Sequence, residues 1–187
     1  MTAALPFPDP PLTDGTVALR PWCDDDVPAA LRATQDPEIT RFTRVPPRQT
    51  EAQLRAFVAG QEPARRARER LSLVIADAAG DGALLGAISL LRFDWPERRG
   101  EVGYWVAPWA RGRGVAARAV RLLAPWGLRT LGLARIGLHA DDDNVASQRV
   151  AAAAGFTQEG VLRSFEERKG RRHDLVVFSL VAADLER

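Results

Sequence analysis

The chain is predicted to fold as one mixed α/β domain. Three observations predict it. Its length of 187 residues fits a single domain, and 46% hydrophobic against 27% charged residues is an ordinary globular balance. Strand and helix signals follow one another in the order β-α-α-β-β-β-α-β-α-β-β. Two pairs of strand-like runs are joined by short glycine-bearing turns, which is the signature of hairpins.

Taken in order, the proline-rich residues 1–11 read as a flexible or surface-hugging lead, and residues 12–187 as the domain. Residues 16–22 read as the first strand. Residues 24–34 read as a helix whose acidic start suits the positive end of the macrodipole. Asp36-Pro37 has the form of a cap followed by proline at the first helical position. Residues 41–49, with Pro46, Pro47 and basic side chains, read as a loop. Thr50 and Gln53 make a capping box that opens a long helix to about Arg68. Arg65, Arg66, Arg68 and Arg70 are interspersed with Glu62 and Glu69, so a solvated helix face explains them better than a nucleic-acid surface. Residues 71–77 and 84–93 form two strands around the Ala79-Gly80-Asp81-Gly82 turn. A fourth strand covers 101–107, and a helix follows to about Leu131, with Pro125 expected to bend or shorten it. Residues 135–140 are the fifth strand. Asn144 caps a helix that runs to Ala154 and ends at Gly155. Residues 156–168 and 174–181 close the domain as a hairpin around Lys169-Gly170-Arg171.

The most informative stretch is EVGYWVAPWARGRGVAARA, residues 101–119. It places a strand, a turn and a glycine- and arginine-rich helix start in succession. Glycines let backbone N–H groups approach a ligand, and a helix N-terminus offers unpaired donors and about half a positive charge. Arg111-Gly112-Arg113-Gly114-Val115-Ala116 is therefore a cradle for phosphate or pyrophosphate, with charge added by Arg111 and Arg113. A Walker loop is absent. Gly112, Gly114 and Ala117 formally fit G-x-G-x-x-A, but no carboxylate lies about twenty residues on, and the loop sits after several strands. That fits a dinucleotide domain poorly.

The pattern R-x-x-G-x-A from Arg111 to Ala116, preceded by Gly-Glu-Val-Gly-Tyr-Trp-Val at 100–106, resembles the acyl-CoA pyrophosphate loop of the GNAT superfamily of N-acetyltransferases. Two segments downstream carry the same resemblance: N-x-x-S-x-x-V-A-x-x-x-G-F from Asn144 to Phe156, then Glu159-Gly160-x-Leu162-Arg163. The ordered set, from about Leu12 to Leu180, is similar to the RimJ/RimL group of ribosomal-protein N-terminal acetyltransferases. That resemblance implies the GNAT fold: a mixed, mostly antiparallel seven-stranded sheet with strands four and five splayed, flanked by about four helices. It implies acetyl-CoA as cosubstrate, bound by Arg111, Gly112, Arg113, Gly114, Val115 and Ala116. It also implies that backbone N–H groups near Trp105 and Val106 pair with the pantetheine and the acetyl carbonyl, and that Asn144 bonds the pantetheine.

Acetyl transfer needs a base for the amine, a donor for the carbonyl oxygen and a partner for the leaving thiolate. Many GNAT enzymes carry a tyrosine four residues before the Gly-Phe pair; here that position is Ala151. The only tyrosine, Tyr104, lies on another strand. By resemblance the helix serine, Ser147, lies near the CoA sulfur, where a hydrogen bond to the thiolate is more plausible than full proton transfer. Glu166 and Glu101 are the two candidate bases, each expected to need desolvation to lift its pKa from near 4.3 toward neutrality. Glu167 should face away from Glu166. His139 with Asp141 to Asp143 matches no metal spacing and reads as the end of a strand; no metal is expected. His173 reads as an exposed residue of a basic turn.

A protein N-terminus or another primary amine is the expected acceptor. Small-molecule acetylation (an antibiotic, amino acid or polyamine) is the alternative, though the basic run Arg168-Lys169-Gly170-Arg171-Arg172 disfavours polyamines. A CoA-binding regulator without turnover is the third reading. A formal charge of +2 gives no case for nucleic acid, and Cys23, alone, excludes an intrachain disulfide. Residues 1–14 lack the basic start and apolar core of a secretory leader, and no apolar run approaches the roughly 20 residues of a membrane span. A cytoplasmic enzyme, with room for a homodimer by analogy to the group, is the expectation.

Overall fold

In a computed structural model, which describes residues 3–186, the strands form one sheet in the order β1-β2-β3-β4-β5-β6-β8-β7. They are β1 (Leu12–Thr13), β2 (Val17–Arg20), β3 (Arg70–Asp77), β4 (Leu84–Asp94), β5 (Arg99–Val106), β6 (Arg135–Asp141), β7 (Thr157–Arg168) and β8 (Arg171–Val181). The seven expected strands are all present, and β1 adds a two-residue edge paired with β2. The fourth and fifth expected strands are β5 and β6. Among the described residues they form the only parallel pair in the sheet, and every other neighbouring pair is antiparallel.

Six α-helices lie among the described residues: α1 (Val27–Thr34), α2 (Pro37–Phe42), α3 (Glu51–Ala59), α4 (Gln61–Arg66), α5 (Val115–Thr130) and α6 (Val145–Ala153). The count exceeds the expected four for two reasons. Asp36 caps a separate short helix, its side chain accepting from the N–H groups of Glu38 and Ile39. The long helix expected after Thr50 breaks at Gly60 into α3 and α4. The Thr50–Gln53 capping box itself forms as expected. Pro125 does not shorten α5, which runs through it to Thr130.

Two apolar layers sandwich the sheet. On one side α5 and α6 bury Val120, Leu123, Leu128 and Ala151 against Ile88, Leu90, Val102, Ile136 and Leu138. On the other, α1, α2 and α3 bury Val27, Ala30, Ile39 and Leu54 against Val74, Ala76 and Leu84. In the segment read as a lead, Leu5 is fully buried in the first layer. Its N–H donates to the Arg65 carbonyl, and the Arg65 guanidinium donates back to the Leu5 carbonyl. Among the described residues, no helix is long and apolar enough to cross a membrane.

One glycine sets how closely β4 and β5 approach. A Cβ built on Gly86 would lie 2.3 Å from the Trp105 carbonyl oxygen. Gly86→Ala should therefore force β5 to shift beside Trp105 and Val106, with a loss of about 1–3 kcal/mol in urea unfolding. An unchanged midpoint would show that the strand can give way freely there.

Candidate active site

β5 and β6 share only three paired positions, Arg99 with Arg135, Gly100 with Ile136 and Glu101 with Gly137. Beyond them the strands part. Each is still held by its other neighbour: β5 to β4 as far as Val106, and β6 to β8 as far as Asp141. The splay predicted between the fourth and fifth strands is therefore present. It leaves backbone donors and acceptors of β5 without a strand partner on one side.

Which backbone groups face the gap is set by strand alternation. Ala107 N–H donates to Leu85 O, and the Trp105 carbonyl points at Gly86, so both are turned to β4. The N–H and C=O of Val106 and of Tyr104 then point the other way, into the gap. Trp105 and Val106 were expected to share this role; the Trp105 carbonyl lies against Gly86 of β4.

Alternation also assigns side chains to the two faces. Val102, Tyr104 and Val106 join the layer under α5 and α6. Trp105 joins the layer under α1 to α3, and Glu101 and Gly103 share its parity. Across the gap, Leu138 and Ala140 face α5, so Gly137, His139 and Asp141 share the face of Glu101. A cavity of about 740 Å³ runs through the gap and touches both faces.

On the α5–α6 side the cavity meets the glycine-rich loop. Gly112 and Gly114 have φ of +74° and +71°, in the left-handed region that glycine alone adopts freely, and a Cβ on either would meet open space. Gly114 is the N-cap of α5 and offers no side-chain cap, so the first N–H groups of a 16-residue helix are left for a ligand. Arg111 is already engaged: its guanidinium donates to Asp36 at 2.6 and 3.3 Å, fastening the loop to α2. Arg113 is half exposed and only 4.0 Å from Asp77. Asn144 caps α6 as expected, its Oδ1 accepting from Ser147 N–H at 3.0 Å. The Ser147 hydroxyl is 2.7 Å from the hydroxyl of Tyr104, which reaches it from β5.

On the other face a charged chain spans the gap. Arg92 of β4 donates to Glu101 at 2.9 Å and to Glu166 at 2.8 Å. Arg44, from the segment after α2, also donates to Glu166. His139 Nδ1 lies 3.5 Å from Glu101, is buried and makes no hydrogen bond. Beyond Glu166, Arg168 is buried and bonded to Asp141, with His173 Nδ1 3.0 Å from both. Glu167 points outward, 3.9 Å from Arg172.

Residues 16–157 match the family described as Acetyltransferase (GNAT) domain. The chain belongs to the GNAT acetyltransferase family. It is 35% identical over 122 residues to YdaF of Bacillus subtilis, provisionally named a ribosomal N-acetyltransferase, covering 65% of this chain and 67% of that one. Over 176 residues it is 28% identical to the N-acetyltransferase YoaA of the same organism, covering 92% of this chain and 97% of YoaA. A similar solved structure is Mycobacterium smegmatis RimJ in complex with CoA-disulfide, with a TM-score of 0.83, 24% identity, and coverage of 95% of this chain and 88% of RimJ. The RimJ/RimL-like resemblance read from the motifs is thus met by sequence relatives and by fold.

Burial pushes the Glu166 carboxyl up, but hydrogen bonds and charge from Arg92 and Arg44 outweigh it and hold the group below the usual carboxylate range. The expected rise toward neutrality therefore does not occur at Glu166. Sequence reasoning also set Tyr104 aside because it lies on β5. Alternation along Glu101-Val102-Gly103-Tyr104 could have placed it on the Ser147 face. Burial pushes its hydroxyl up to about 12, so it stays protonated. His139 was judged only as a metal ligand; its shared parity with Gly137 and Asp141 puts it on the face of Glu101.

Two outcomes test this geometry. Asn and Asp both tolerate the left-handed conformation, so Gly114→Asn and Gly114→Asp should have similar melting temperatures. The charged variant should bind CoA at least about tenfold more weakly by calorimetry, since it sets a carboxylate at the anion cradle; equal affinities would remove the loop from the site. The second concerns pH. A carboxylate with a lowered folded pKa stabilises fully above its unfolded value near 4.3, and that stability is lost as pH falls through the folded value. Glu166→Gln should therefore cost about 1–2 kcal/mol at pH 7, and the gap from the parent should close in acid. A constant gap across pH would show that charge at Glu166 is not what stabilises.

Proposed function

We propose that this GNAT domain transfers an acetyl group from acetyl-CoA to a primary amine, the N-terminus of a protein or peptide, by direct attack in a ternary complex. The observation that carries the proposal is the parted β5–β6 pair, with an anion cradle and hydroxyl pair on one face and carboxylates on the other. The provisional name of YdaF as a ribosomal N-acetyltransferase supports a protein acceptor. The CoA ligand of RimJ supports the cosubstrate.

In this reading the pyrophosphate takes the N–H groups at Gly112 to Ala116, and the pantetheine arm runs down the gap beside Asn144. The arm adds itself to β5 as a missing strand would, and the Val106 N–H donates to the acetyl carbonyl oxygen as charge builds there. The acceptor enters from the Glu101 face. Its nitrogen attacks the carbonyl carbon, the C–N bond forms, and the C–S bond breaks with its electron pair leaving on sulfur. The proton lost by the amine passes to Glu101 or, through it, to His139. Glu166, held ionised by Arg92 and Arg44, orients the acceptor ammonium better than it could remove its proton. On the opposite face Ser147 donates to the leaving thiolate, and the Tyr104 hydroxyl donates to Ser147. A donor bonded to a donor polarises both, which strengthens the terminal hydrogen bond.

The direct experiment is incubation with acetyl-CoA and a set of N-terminal peptides, read by mass spectrometry as the addition of one acetyl group to the α-amine. Glu101→Gln should lower kcat at least about tenfold with CoA affinity unchanged; full activity would remove Glu101. The hydroxyl pair has its own readout, the ultraviolet absorbance of bound CoA thiolate. Ser147→Ala should raise the pKa of the bound thiol by about one unit, the worth of one hydrogen bond to a charged group. Tyr104→Phe should raise it by part of that, and the double variant should match Ser147→Ala alone. Additive shifts would show that Tyr104 does not act through Ser147.

A further inference from the structure

The acceptor face of the cavity is divided by polarity. A linked cluster of charged groups, Glu101, Glu166, Arg44 and Arg92, holds the end beside β6 and β7. The opposite end lies between the sheet and α1 to α3, and it is apolar. Trp22 and Phe57 stand edge to face with ring centroids 5.6 Å apart, beside buried Leu54 and half-buried Val45. The floor is made by small residues, Ala87, Ser89 and Gly103, all lining the cavity.

The polar side-chain atoms of Trp22, Ser72 and Ser89 at this apolar end are already paired with one another. The Trp22 indole N–H donates to Ser72 Oγ at 3.1 Å, and Ser89 Oγ donates to the same oxygen at 2.9 Å. An acceptor hydroxyl or carboxamide would find no vacant partner among these atoms and would lose its water. A second ammonium would fare worse. The wall beyond Phe57 is Arg70, whose guanidinium lies 5.2 Å over that ring. Small floor residues under large walls leave room for a side chain, and half-buried aromatics gain by covering one another's remaining surface.

We infer that this end of the cavity is the acceptor's side-chain subsite, and that the acceptor is a primary amine bearing an aromatic or large apolar group on the carbon next to nitrogen, such as a peptide beginning with Phe or Leu. The inference rests on the transferase reading for where the amine sits. It excludes polyamines by chemistry rather than by surface charge. Gln49 Oε1, buried in the same cavity lining without a donor, suits the first peptide N–H of such a chain.

The test is equilibrium binding to protein saturated with CoA, which cannot acetylate, so a catalytic failure leaves it intact. Matched tetrapeptides beginning with Phe, Leu, Ser, Glu or Lys are compared by calorimetry, with spermidine alongside. The Phe and Leu peptides should bind at least about tenfold more tightly than the others, since one or two buried groups in an apolar pocket give that ratio. Trp22→Ala should cut the Phe-peptide affinity about tenfold and leave CoA affinity unchanged. Equal affinities, tighter binding of the Glu or Lys peptide or of spermidine, or no binding of the Phe peptide at millimolar concentration would each overturn the subsite. Acetyl transfer is then measured separately with acetyl-CoA. Preferential binding without transfer would sink the transferase reading and spare the subsite, while transfer without preference would do the reverse.

Discussion

The parting of β5 from β6 after Glu101 and Gly137 is the constraint on which the rest of the site depends. A buried strand edge with unpaired N–H and C=O groups costs free energy unless something fills it. The fold sustains that edge by holding each strand from behind. β4 pairs with β5 along almost its whole length, and β8 pairs with all of β6. Neither strand can swing across to heal the gap without breaking a longer ladder. The gap is therefore held open, and its free strand edge has the hydrogen-bonding pattern that an extended chain with alternating amide donors and acceptors would match, as the proposed pantetheine placement requires.

A rigid gap through a sheet has two mouths, and side-chain alternation makes them chemically different. Even-numbered residues of β5 look toward α5 and α6, odd-numbered ones toward α1 to α3. Tyr104 meets Ser147 on the first face, and Glu101 meets Arg92 on the second. A proton-donating pair and a proton-accepting group are thereby kept apart by the thickness of one strand. They cannot neutralise one another, though both reach the same few ångströms of gap.

Much of this was legible in the sequence because it rests on local rules. The Asn144 cap, the Thr50–Gln53 box, both hairpins and the left-handed glycines of the loop each follow from one residue and its near neighbours. The seven strands came from strand and turn signals along the chain and the splay between the fourth and fifth from the motif resemblance, and both hold. What was not legible depends on pairs distant in sequence. The Arg44–Glu166 contact joins residues 122 positions apart, and Tyr104 with Ser147 joins residues 43 apart. Glu166 looked like a base because its type and place were right. Nothing local to it announces two guanidinium groups arriving from other elements. The run of α5 to Thr130 matches the expected end near Leu131, because tertiary packing of α5 across the sheet carries the helix through Pro125, a residue that would break an isolated one.

The charged chain over the acceptor mouth explains why that face can be both polar and closed. Arg44, Arg92 and Arg168 are matched by Glu101, Glu166 and Asp141, each carboxylate bonded to a guanidinium. Arg168 and Asp141 are almost fully buried, so removing either would strand its partner's charge in the interior. The same pair ties the β7–β8 hairpin to the end of β6. Arg168 also donates to Phe42 O, and Lys169 donates to the carbonyls of Thr40 and Val45. The segment 40–45 is thus pinned across the cavity by the hairpin as well as by the packing of Val45 against the α1–α3 layer. A balanced network of this kind contributes little net attraction for an acceptor of either sign. On the proposed reading, selectivity on this face comes from shape and apolar burial at the Trp22–Phe57 end, because the charges are already committed to holding the mouth in place.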